Sequence, residues 1–190
     1  MVPCGGFRPL NGSGVLALRD GVCVTVRGVR ASDAAALQRL VARSSDRSVE
    51  LRFFGPLKSL SDEQARRFAE VDGRDRFALV ALDPEDPEEI VGVVRYEKEL
   101  GTEGAEYAAL VEDRFQGRGL GIALTRHLIE VARDNGLKRL YALVMRENAG
   151  MLRLLRSLGL PERKRWQDGA EHVEIDLRSD LASYQAAEQR

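Results

Sequence analysis

The stretch Leu110–Leu128, which reads LVEDRFQGRGLGIALTRHL, places three glycines within five residues where a strand pattern passes into a helix pattern. Gly117, Gly119 and Gly121 would each cost about 0.8–1 kcal/mol relative to alanine in a helix interior. Glycines at a helix start leave bare backbone at its positive end, where free N–H groups bind anions. The stretch therefore predicts an anion-binding loop that begins a helix.

The composition of the chain is typical of one globular domain without a highly charged partner. Its 190 residues are 44% hydrophobic and 31% charged, with a net charge of −1, which suits a single core. We expect no nucleic acid partner, because phosphate binding normally shows as a basic surplus. No apolar run reaches about 18 residues, and the N-terminus has no signal-peptide pattern. We therefore expect a cytoplasmic protein without membrane contact.

The two cysteines, Cys4 and Cys23, have neither C-x-x-C spacing nor a histidine neighbour suited to a metal. We interpret them as free thiols in a reducing compartment and expect no metal site. We also expect Cys23 to be buried as a small apolar residue rather than to act as a nucleophile.

Hydrophobic periodicity predicts a mixed order of strands and helices on both sides of the glycine stretch. A capping box from Ser61 to Gln64 begins one helix, and Gly136 and Gly159 end two others. This order predicts an α/β (α+β) domain with a mixed, mostly antiparallel sheet and helices on both faces. The predicted strands are 22–29, 76–83, 90–99, 105–112, 137–145 and a closing pair at 162–167 and 171–177; the predicted helices are 31–45, 60–71, 122–135 and 147–159.

Both ends of the chain are predicted to lie outside this domain. Residues 1–20 open with a glycine- and proline-containing stretch that lacks periodicity, and we interpret them as a flexible extension. The domain itself is expected to span residues 21–178, followed by a tail at 179–190 that favours a short helix.

Three known phosphate loops can be compared with the glycine spacing. A Walker A loop needs Lys followed by Ser or Thr after its last glycine, where this chain has Ile122 and Ala123. A dinucleotide fingerprint, G-x-G-x-x-G/A, fails because Ile122 or Leu124 occupies its last place. Kinase loops join two strands, and no H-R-D or D-F-G stretch follows here. The loop therefore matches none of the three.

The remaining pattern, Q-x-x-G-x-G from Gln116 to Gly121, resembles the acyl-CoA-binding motif of the GNAT superfamily of N-acyltransferases. The resemblance implies a single GNAT-like domain that uses acetyl-CoA as co-substrate and needs no metal. In that family the loop amides hold the CoA pyrophosphate, and the backbone of the preceding strand holds the pantetheine arm. The cofactor-binding residues that it implies are Leu110, Val111, Glu112, Gln116, Gly117, Arg118, Gly119, Leu120, Gly121 and Ile122.

A second segment, ENAGMLRLLRSLGL (147–160), is similar to the family's other CoA-side segment, in which an Asn opens a helix. Asn148, Gly159 and Leu160 occupy the matching places. Asn148 is therefore a further candidate for binding the cofactor. It also fits an ordinary helix N-cap, and the two roles are compatible.

Glu106 is the candidate general base. Acetyl transfer needs a neutral amine, and a lysine with a pKa of about 10.4 is only about one-thousandth neutral near pH 7.4, so a base assists by taking the proton. Glu106 lies within the apolar run AEYAALV, ten residues before Gln116. We expect its carboxylate to be partly desolvated there; the alternative is a solvent-facing Glu on an alternating strand.

A closer resemblance covers roughly residues 22–178. The segments LRFFGPLKSLSDEQARRFAEVDGRDRFALVAL (51–82) and AEYAALVEDRFQGRG (105–119) are similar to the catalytic domains of bacterial Pat-type protein lysine acetyltransferases. Those enzymes acetylate lysines of proteins such as acyl-CoA synthetases. Their general base is a Glu ten residues before the loop Gln, and the resemblance assigns that role to Glu106.

One position departs from the family pattern. Many members have a Tyr seven residues after the Asn of the second segment, acting as general acid to the CoA thiolate, whereas this chain has Leu155. Protonation then needs water or another donor, or is unnecessary because a thiolate is a fair leaving group. We interpret Tyr107 and Tyr141 as packing residues.

Two features of the sequence bear on the acceptor. Phe53 and Phe54 line either an acceptor entrance or the core, and paired aromatics after a helix favour the core. Glu70, Asp72 and Asp75 form either an acidic cluster that attracts a cationic lysine or a solvated turn balanced by neighbouring arginines.

The sequence thus predicts an N-acetyltransferase that moves an acetyl group from acetyl-CoA to a protein lysine, with Glu106 as base. One alternative is an acetyltransferase for a small amine, and another is a non-catalytic acyl-CoA sensor that reports to a partner. An open groove favours a protein acceptor, whereas a closed pocket favours a small amine. A homodimer is compatible with such folds, but nothing in the sequence counts for or against one.

Overall fold

A computed structural model of the protein describes residues 13–167 and 169–179. Within that part of the chain, eight strands form one sheet in the order β1-β2-β3-β4-β5-β6-β8-β7, and only β5 and β6 pair in parallel. The sheet is therefore mixed and mostly antiparallel, as the sequence predicts. The strands are β1 (Gly14–Ala17), β2 (Cys23–Gly28), β3 (Arg76–Leu82), β4 (Ile90–Lys98), β5 (Gly104–Val111), β6 (Arg139–Val144), β7 (Glu162–Gln167) and β8 (Ala170–Asp176).

Helices pack on both faces of the sheet, which confirms the predicted layers. On one face, α4 buries an apolar stripe that includes Leu124, Leu128 and Val131, and α5 packs beside it. On the opposite face, α1 and α3 bury a second cluster together with Val80 and Leu110 of the sheet. The helices are α1 (Ala34–Arg43), α2 (Asp46–Phe53), α3 (Asp62–Ala69), α4 (Leu120–Asp134) and α5 (Ala149–Arg156).

The predicted boundary between a flexible extension and the domain at residue 20 is wrong. β1 lies before it and pairs with β2 from Gly14–Val26 to Ala17–Cys23. The turn between them contains Asp20-Gly21, a hairpin signal between two apolar runs, and Gly21 has a φ of +84°. Residues 180–190 lie outside the described part of the chain, so the predicted tail helix stays a prediction.

α2 is the other element that the sequence pattern does not reveal. It follows α1 after only two residues, and Val49 is its one fully buried side chain. A helix with so little apolar surface has almost no amphipathic periodicity to detect. Its position depends instead on polar contacts.

One carboxylate holds α2 against the segment that follows β5. Asp113 accepts hydrogen bonds from the Ser45 N–H (2.8 Å), the Ser45 hydroxyl (2.7 Å) and the Ser48 hydroxyl (2.8 Å). Ser45 is the N-cap of α2, so the negative charge lies at the positive end of that helix. Burial tends to raise the pKa of Asp113, but these hydrogen bonds outweigh it and lower that pKa below its usual 3.8.

A chain of ion pairs fixes the end of β5 to α1 and to the β3–β4 turn. The buried Glu112 carboxylate pairs with Arg43 (3.2 Å) and with Arg114. Arg114 in turn pairs with the buried Asp83. Because buried carboxylates are stable only with such partners, the network holds the strand end from which the glycine loop departs.

The neighbouring strands β5 and β6 pair over a short length and then separate. Gly104–Glu106 pair with Arg139–Tyr141, whereas β5 continues to Val111 and β6 to Val144 without further pairing. The resulting V opens from Glu106 toward the glycine loop. The facing edges of the two separated strands leave backbone groups that require other partners, whereas the opposite edges stay paired with β4 and β8.

We expect Asp113→Asn to destabilise the protein by about 1 kcal/mol at pH 7, because three hydrogen bonds lose a charged acceptor at a partly exposed site. Since the folded-state pKa lies below 3.8, this contribution is complete above about pH 4 and is lost as the pH falls through the folded-state value. Urea unfolding of both proteins at pH 7 and pH 3 measures the difference. A difference of the same size at both pH values would contradict this role of Asp113.

Candidate active site

A cavity of about 670 Å³ occupies the V between β5 and β6 and extends from the glycine loop to the end of α2. Its size is that of a cofactor or small-molecule site. The charged side chains of its described lining are three arginines, Arg19, Arg52 and Arg153, and one carboxylate, Glu106. This positive balance suits a ligand with several phosphates.

The start of α4 has the donors that the sequence predicts for an anion site. Gly119 is the N-cap, and its carbonyl accepts the hydrogen bond from the Ala123 N–H (3.2 Å). The N–H groups of Leu120, Gly121 and Ile122 therefore have no carbonyl one turn earlier to bond. The Leu120 side chain is fully buried, so only its backbone is available at the loop.

The three positions of the loop require glycine for different structural reasons. Gly117 and Gly119 have φ values of +72° and +91°, in the left-handed region that favours glycine. A Cβ at Gly121 would instead lie 3.0 Å from Leu154 Cδ1, so this glycine allows α5 to pack closely against α4. The first two glycines shape the turn that exposes the N–H groups.

The backbone of β5 faces β4 and the cavity alternately. The Glu112 N–H bonds to the Val91 carbonyl (2.9 Å), and the Glu99 N–H bonds to the Gly104 carbonyl (3.0 Å), at the two ends of one unbroken register. Residues two apart on a strand direct their backbone groups to the same side. The even-numbered residues of β5 therefore bond to β4, and the odd-numbered ones face β6.

This alternation corrects the predicted backbone contacts of the cofactor. Leu110 and Glu112 direct their backbone to β4, so neither can pair with a pantetheine arm in the V. Ala109 and Val111 face the V, although the Val111 carbonyl already accepts a hydrogen bond from Gln116 Nε2 (2.9 Å). On these two residues, the N–H and C=O of Ala109 and the N–H of Val111 therefore have no partner within the described part of the chain.

Gln116 and Asn148 make hydrogen bonds that stabilise the two sides of the cavity. Gln116 Nε2 also donates to Ser48 Oγ (3.0 Å), which ties the glycine loop to α2. Asn148 is the N-cap of α5; its Oδ1 accepts from the Met151 N–H (3.0 Å), and the residue lies in the lining. An N-cap position and a cofactor contact are thus compatible for Asn148, as expected.

Arg19 rather than Arg118 lies in the cavity beside the loop. Arg118 Nε donates to Asp20 Oδ2 (2.5 Å), and the residue is not part of the lining. Arg19 belongs to the lining, and no described carboxylate pairs with it. Arg19 could not be predicted as a site residue from an interpretation of residues 1–20 as a flexible extension. The Asp20-Gly21 hairpin signal is the feature of the sequence that indicates its place in the fold.

Glu106 lies at the vertex of the V, in the last pair that β5 makes with β6, opposite Tyr141. No other carboxylate lines the cavity among the described residues. Its side chain is exposed, so the expected partial desolvation is not present. The cavity opens to solvent at the vertex, and a solute therefore reaches this carboxylate directly.

Among the described residues, Tyr107 is the tyrosine of the cavity lining, and Tyr141 lies outside that lining. The Tyr107 hydroxyl bonds to Thr125 Oγ1 (2.7 Å), and burial raises the pKa of Tyr107 to about 12. Tyr141 stacks on His172 with ring centroids 5.1 Å apart. Leu155 is buried in the core. Both tyrosines are packing residues, as the sequence predicts.

Cys23 is exposed at the start of β2 rather than buried, and it is not part of the cavity lining; Cys4 lies outside the described residues. Within residues 13–167 and 169–179, no group of three or more His, Cys, Asp or Glu side chains is arranged to hold a metal ion. In the same part of the chain, no helix is both long and apolar enough to cross a membrane.

The C-terminal end of α2 forms the cavity wall beside Glu106. Arg52, Phe53 and Phe54 lie in the lining. Phe53 packs against the core cluster under α1 and α3 and stacks on Phe68, with ring centroids 6.5 Å apart. Phe54 is 46% exposed and borders an entrance to the cavity. The favoured interpretation as core is therefore confirmed for Phe53 and wrong for Phe54. Burial lowers the pKa of the Arg52 guanidinium, and the Glu106 carboxylate opposes that shift.

The acidic residues between α3 and β3 belong to a turn that Asp72 stabilises. Asp72 Oδ1 accepts hydrogen bonds from the N–H groups of Arg74 (2.8 Å), Asp75 (2.8 Å) and Arg76 (2.9 Å). None of the three acidic residues, Glu70 included, lines the cavity. Of the two interpretations of this cluster, the structure supports the solvated turn.

Comparison with known proteins gives related sequences. A family model for the "Acetyltransferase (GNAT) family" matches residues 46–160. The chain is 34% identical over 146 residues to "Acetyltransferase PA5475" of Pseudomonas aeruginosa, an alignment that covers 76% of this chain and 78% of that protein.

Solved structures share the fold. The GNAT domain of S. lividans PAT matches with a TM-score of 0.79 and 32% identity, over 86% of this chain and 96% of that chain. The structure of yncA from Salmonella typhimurium with its cofactor acetyl-CoA matches with a TM-score of 0.65 and 19% identity, over 83% and 95% of the two chains. Since the family model covers more than half of the chain, the protein belongs to the GNAT acetyltransferase family and is an acetyl-CoA-dependent acetyltransferase.

Proposed function

We propose that the protein transfers, in the cytoplasm, the acetyl group of acetyl-CoA to a lysine side chain of a protein such as an acyl-CoA synthetase, with Glu106 as general base. The observation that carries this proposal is the place of Glu106, the one carboxylate of the described lining, at the vertex of the V. The resemblance to Pat-type lysine acetyltransferases and the 32% identity with the GNAT domain of S. lividans PAT support a protein acceptor.

The residues of the cavity fit acetyl-CoA, which supplies the activated acetyl thioester when bound. The N–H groups of Leu120, Gly121 and Ile122 would hold the pyrophosphate, and the unpaired backbone of Ala109 and Val111 would hold the pantetheine arm. An arm that follows this strand edge away from the loop leads toward Glu106.

Glu106 would take the proton of the attacking amine. Only about one-thousandth of a lysine is neutral near pH 7.4. A base at the vertex of the V therefore speeds the reaction by removing the amine proton as the attack proceeds. Because the Glu106 side chain is exposed, a lysine approaches it from solvent without rearrangement of the chain. Water can protonate the departing thiolate, since Leu155 has no hydroxyl, the Tyr107 hydroxyl is engaged and Tyr141 lies outside the lining.

The sheet face beside Glu106 favours a protein over a small amine. Helices α1 to α3 cover the part of this face formed by β3, β4 and β5. On the continuing strands β6 and β7, the side chains of Leu143, Arg163 and Arg165 lie on the same face and are exposed. An open surface of this kind accommodates a lysine on a folded protein, whereas small amines are usually enclosed.

We expect Glu106→Gln to reduce the acetylation rate of a purified acyl-CoA synthetase by about 100-fold or more, the usual contribution of a general base. Acetyl-CoA affinity should be unchanged, because position 106 lies at the vertex, away from the phosphate end. Radiolabelled acetyl incorporation and calorimetric titration measure the two quantities. Glu97→Gln is the matched control. Glu97 lies on β4, directly opposite Glu106 in the sheet register, but it is outside the cavity lining.

Equal rates for the native protein and Glu106→Gln would remove Glu106 from the mechanism. Acetylation of small amines, with no incorporation into any protein, would support the small-amine alternative. Tight acetyl-CoA binding without turnover of any acceptor would support the sensor.

Phe54 ends α2 in a left-handed backbone conformation, with φ 60° and ψ 28°. This conformation costs a residue with a Cβ roughly 1–2 kcal/mol, and glycine is usual at the end of a helix. The ring is half exposed in the cavity wall, so core packing does not explain the strain. Strain at a cavity points to a role in function, and we infer that the ring guides the acceptor side chain to Glu106.

We expect Phe54→Gly to be more stable than Phe54→Ala by about 1 kcal/mol, because both variants lose the ring and only glycine relieves the left-handed strain. Both variants should raise the KM for the protein acceptor without changing acetyl-CoA affinity. Urea unfolding and steady-state kinetics measure these effects. Equal stability of the two variants would contradict the strain, and an unchanged acceptor KM would contradict the guiding role.

A further inference from the structure

We propose that Arg19, on the turn between β1 and β2, is the cation that binds the pyrophosphate of acetyl-CoA. The turn packs directly on the glycine loop, where the Arg19 N–H donates to the Arg118 carbonyl (3.0 Å). A Cβ at Gly119 would lie 3.2 Å from Arg19 Cγ and 3.4 Å from Arg19 Nε. The Arg19 side chain thus lies against the N-cap of α4, beside the free N–H groups.

The hairpin that carries Arg19 is fixed to the domain. Leu18 is 5% exposed and belongs to the core, and its N–H bonds to the Val22 carbonyl (2.8 Å). All four residues of β1 pair with β2. The position of Arg19 is therefore set by the fold, as a binding residue requires.

The Arg19 guanidinium is available for a ligand. It is exposed in the cavity lining, and no described carboxylate forms an ion pair with it. The carboxylate of the lining, Glu106, lies at the other end of the V. A guanidinium matches two phosphate oxygens at once, which makes it a strong partner for a pyrophosphate.

Arg118, the arginine within the loop, is already neutralised. Its Nε donates to Asp20 Oδ2 (2.5 Å), and its guanidinium lies over the Phe115 ring, 4.7 Å from the centroid. The hydrogen bond from Arg118 is the largest cause that lowers the pKa of Asp20. Asp20 thus pairs with Arg118 and leaves the neighbouring Arg19 unpaired.

The test is calorimetric titration of the native protein, Arg19→Gln and Arg19→Lys with CoA, 3′-dephospho-CoA and pantetheine. We expect Arg19→Gln to weaken CoA and 3′-dephospho-CoA binding equally, by about 10-fold, and to leave pantetheine binding unchanged. Arg19→Lys should recover part of the loss, because a point charge remains. Thermal unfolding of each variant confirms that the fold is retained.

The control variant Asp20→Asn/Arg118→Gln removes both members of the ion pair and leaves no extra carboxylate beside Arg19. We expect it to bind CoA within about twofold of the native protein. An equal loss in this variant, or no loss in Arg19→Gln, would overturn the proposal. A loss for CoA but not for 3′-dephospho-CoA would overturn the pyrophosphate assignment in favour of the 3′-phosphate. The titrations contain no acceptor, so their outcome is independent of whether a protein lysine is the substrate.

Discussion

The separation of β5 from β6 after Glu106 is the constraint on which the site depends. Strands inside a sheet normally satisfy each other's backbone groups, yet β5 runs on for five residues beyond its last pair with β6. The backbone of Ala109 and Val111 is thereby directed into a cavity instead of a neighbouring strand. A ligand with amide groups along an extended arm is the natural complement of such an edge.

Polar contacts connect the two ends of that cavity. Asp113 and Gln116, on the segment that leaves β5, both bond to residues at the start of α2. The other end of α2 carries Phe54 to the cavity wall beside Glu106. The segment that shapes the phosphate loop therefore also positions the wall past which an acceptor reaches the base.

Elements with strong periodicity, such as α4 with its buried stripe, and turns with unmistakable glycines, such as Gly136, could be predicted from the sequence. α2 could not be predicted, because hydrogen bonds to Asp113, and not a buried apolar face, fix its position. Single-residue register also could not be predicted. Whether the backbone N–H and C=O of Leu110 or of Ala109 face the cavity depends on the pairing of β5 with β4, and a shift by one residue reverses the answer. Arg19 and Arg118 show the same limit, since only tertiary contact with Asp20 decides which arginine is free.

A crystal structure of the protein with bound CoA is the measurement that tests the central claim most directly. We expect the pantetheine amides to bond to the backbone of Ala109 and Val111, and the sulfur to lie at the vertex of the V beside Glu106. Hydrogen bonds to Leu110 in their place, or a sulfur atom remote from the Glu106 carboxylate, would contradict the claim that the separated strands align the thioester with the base.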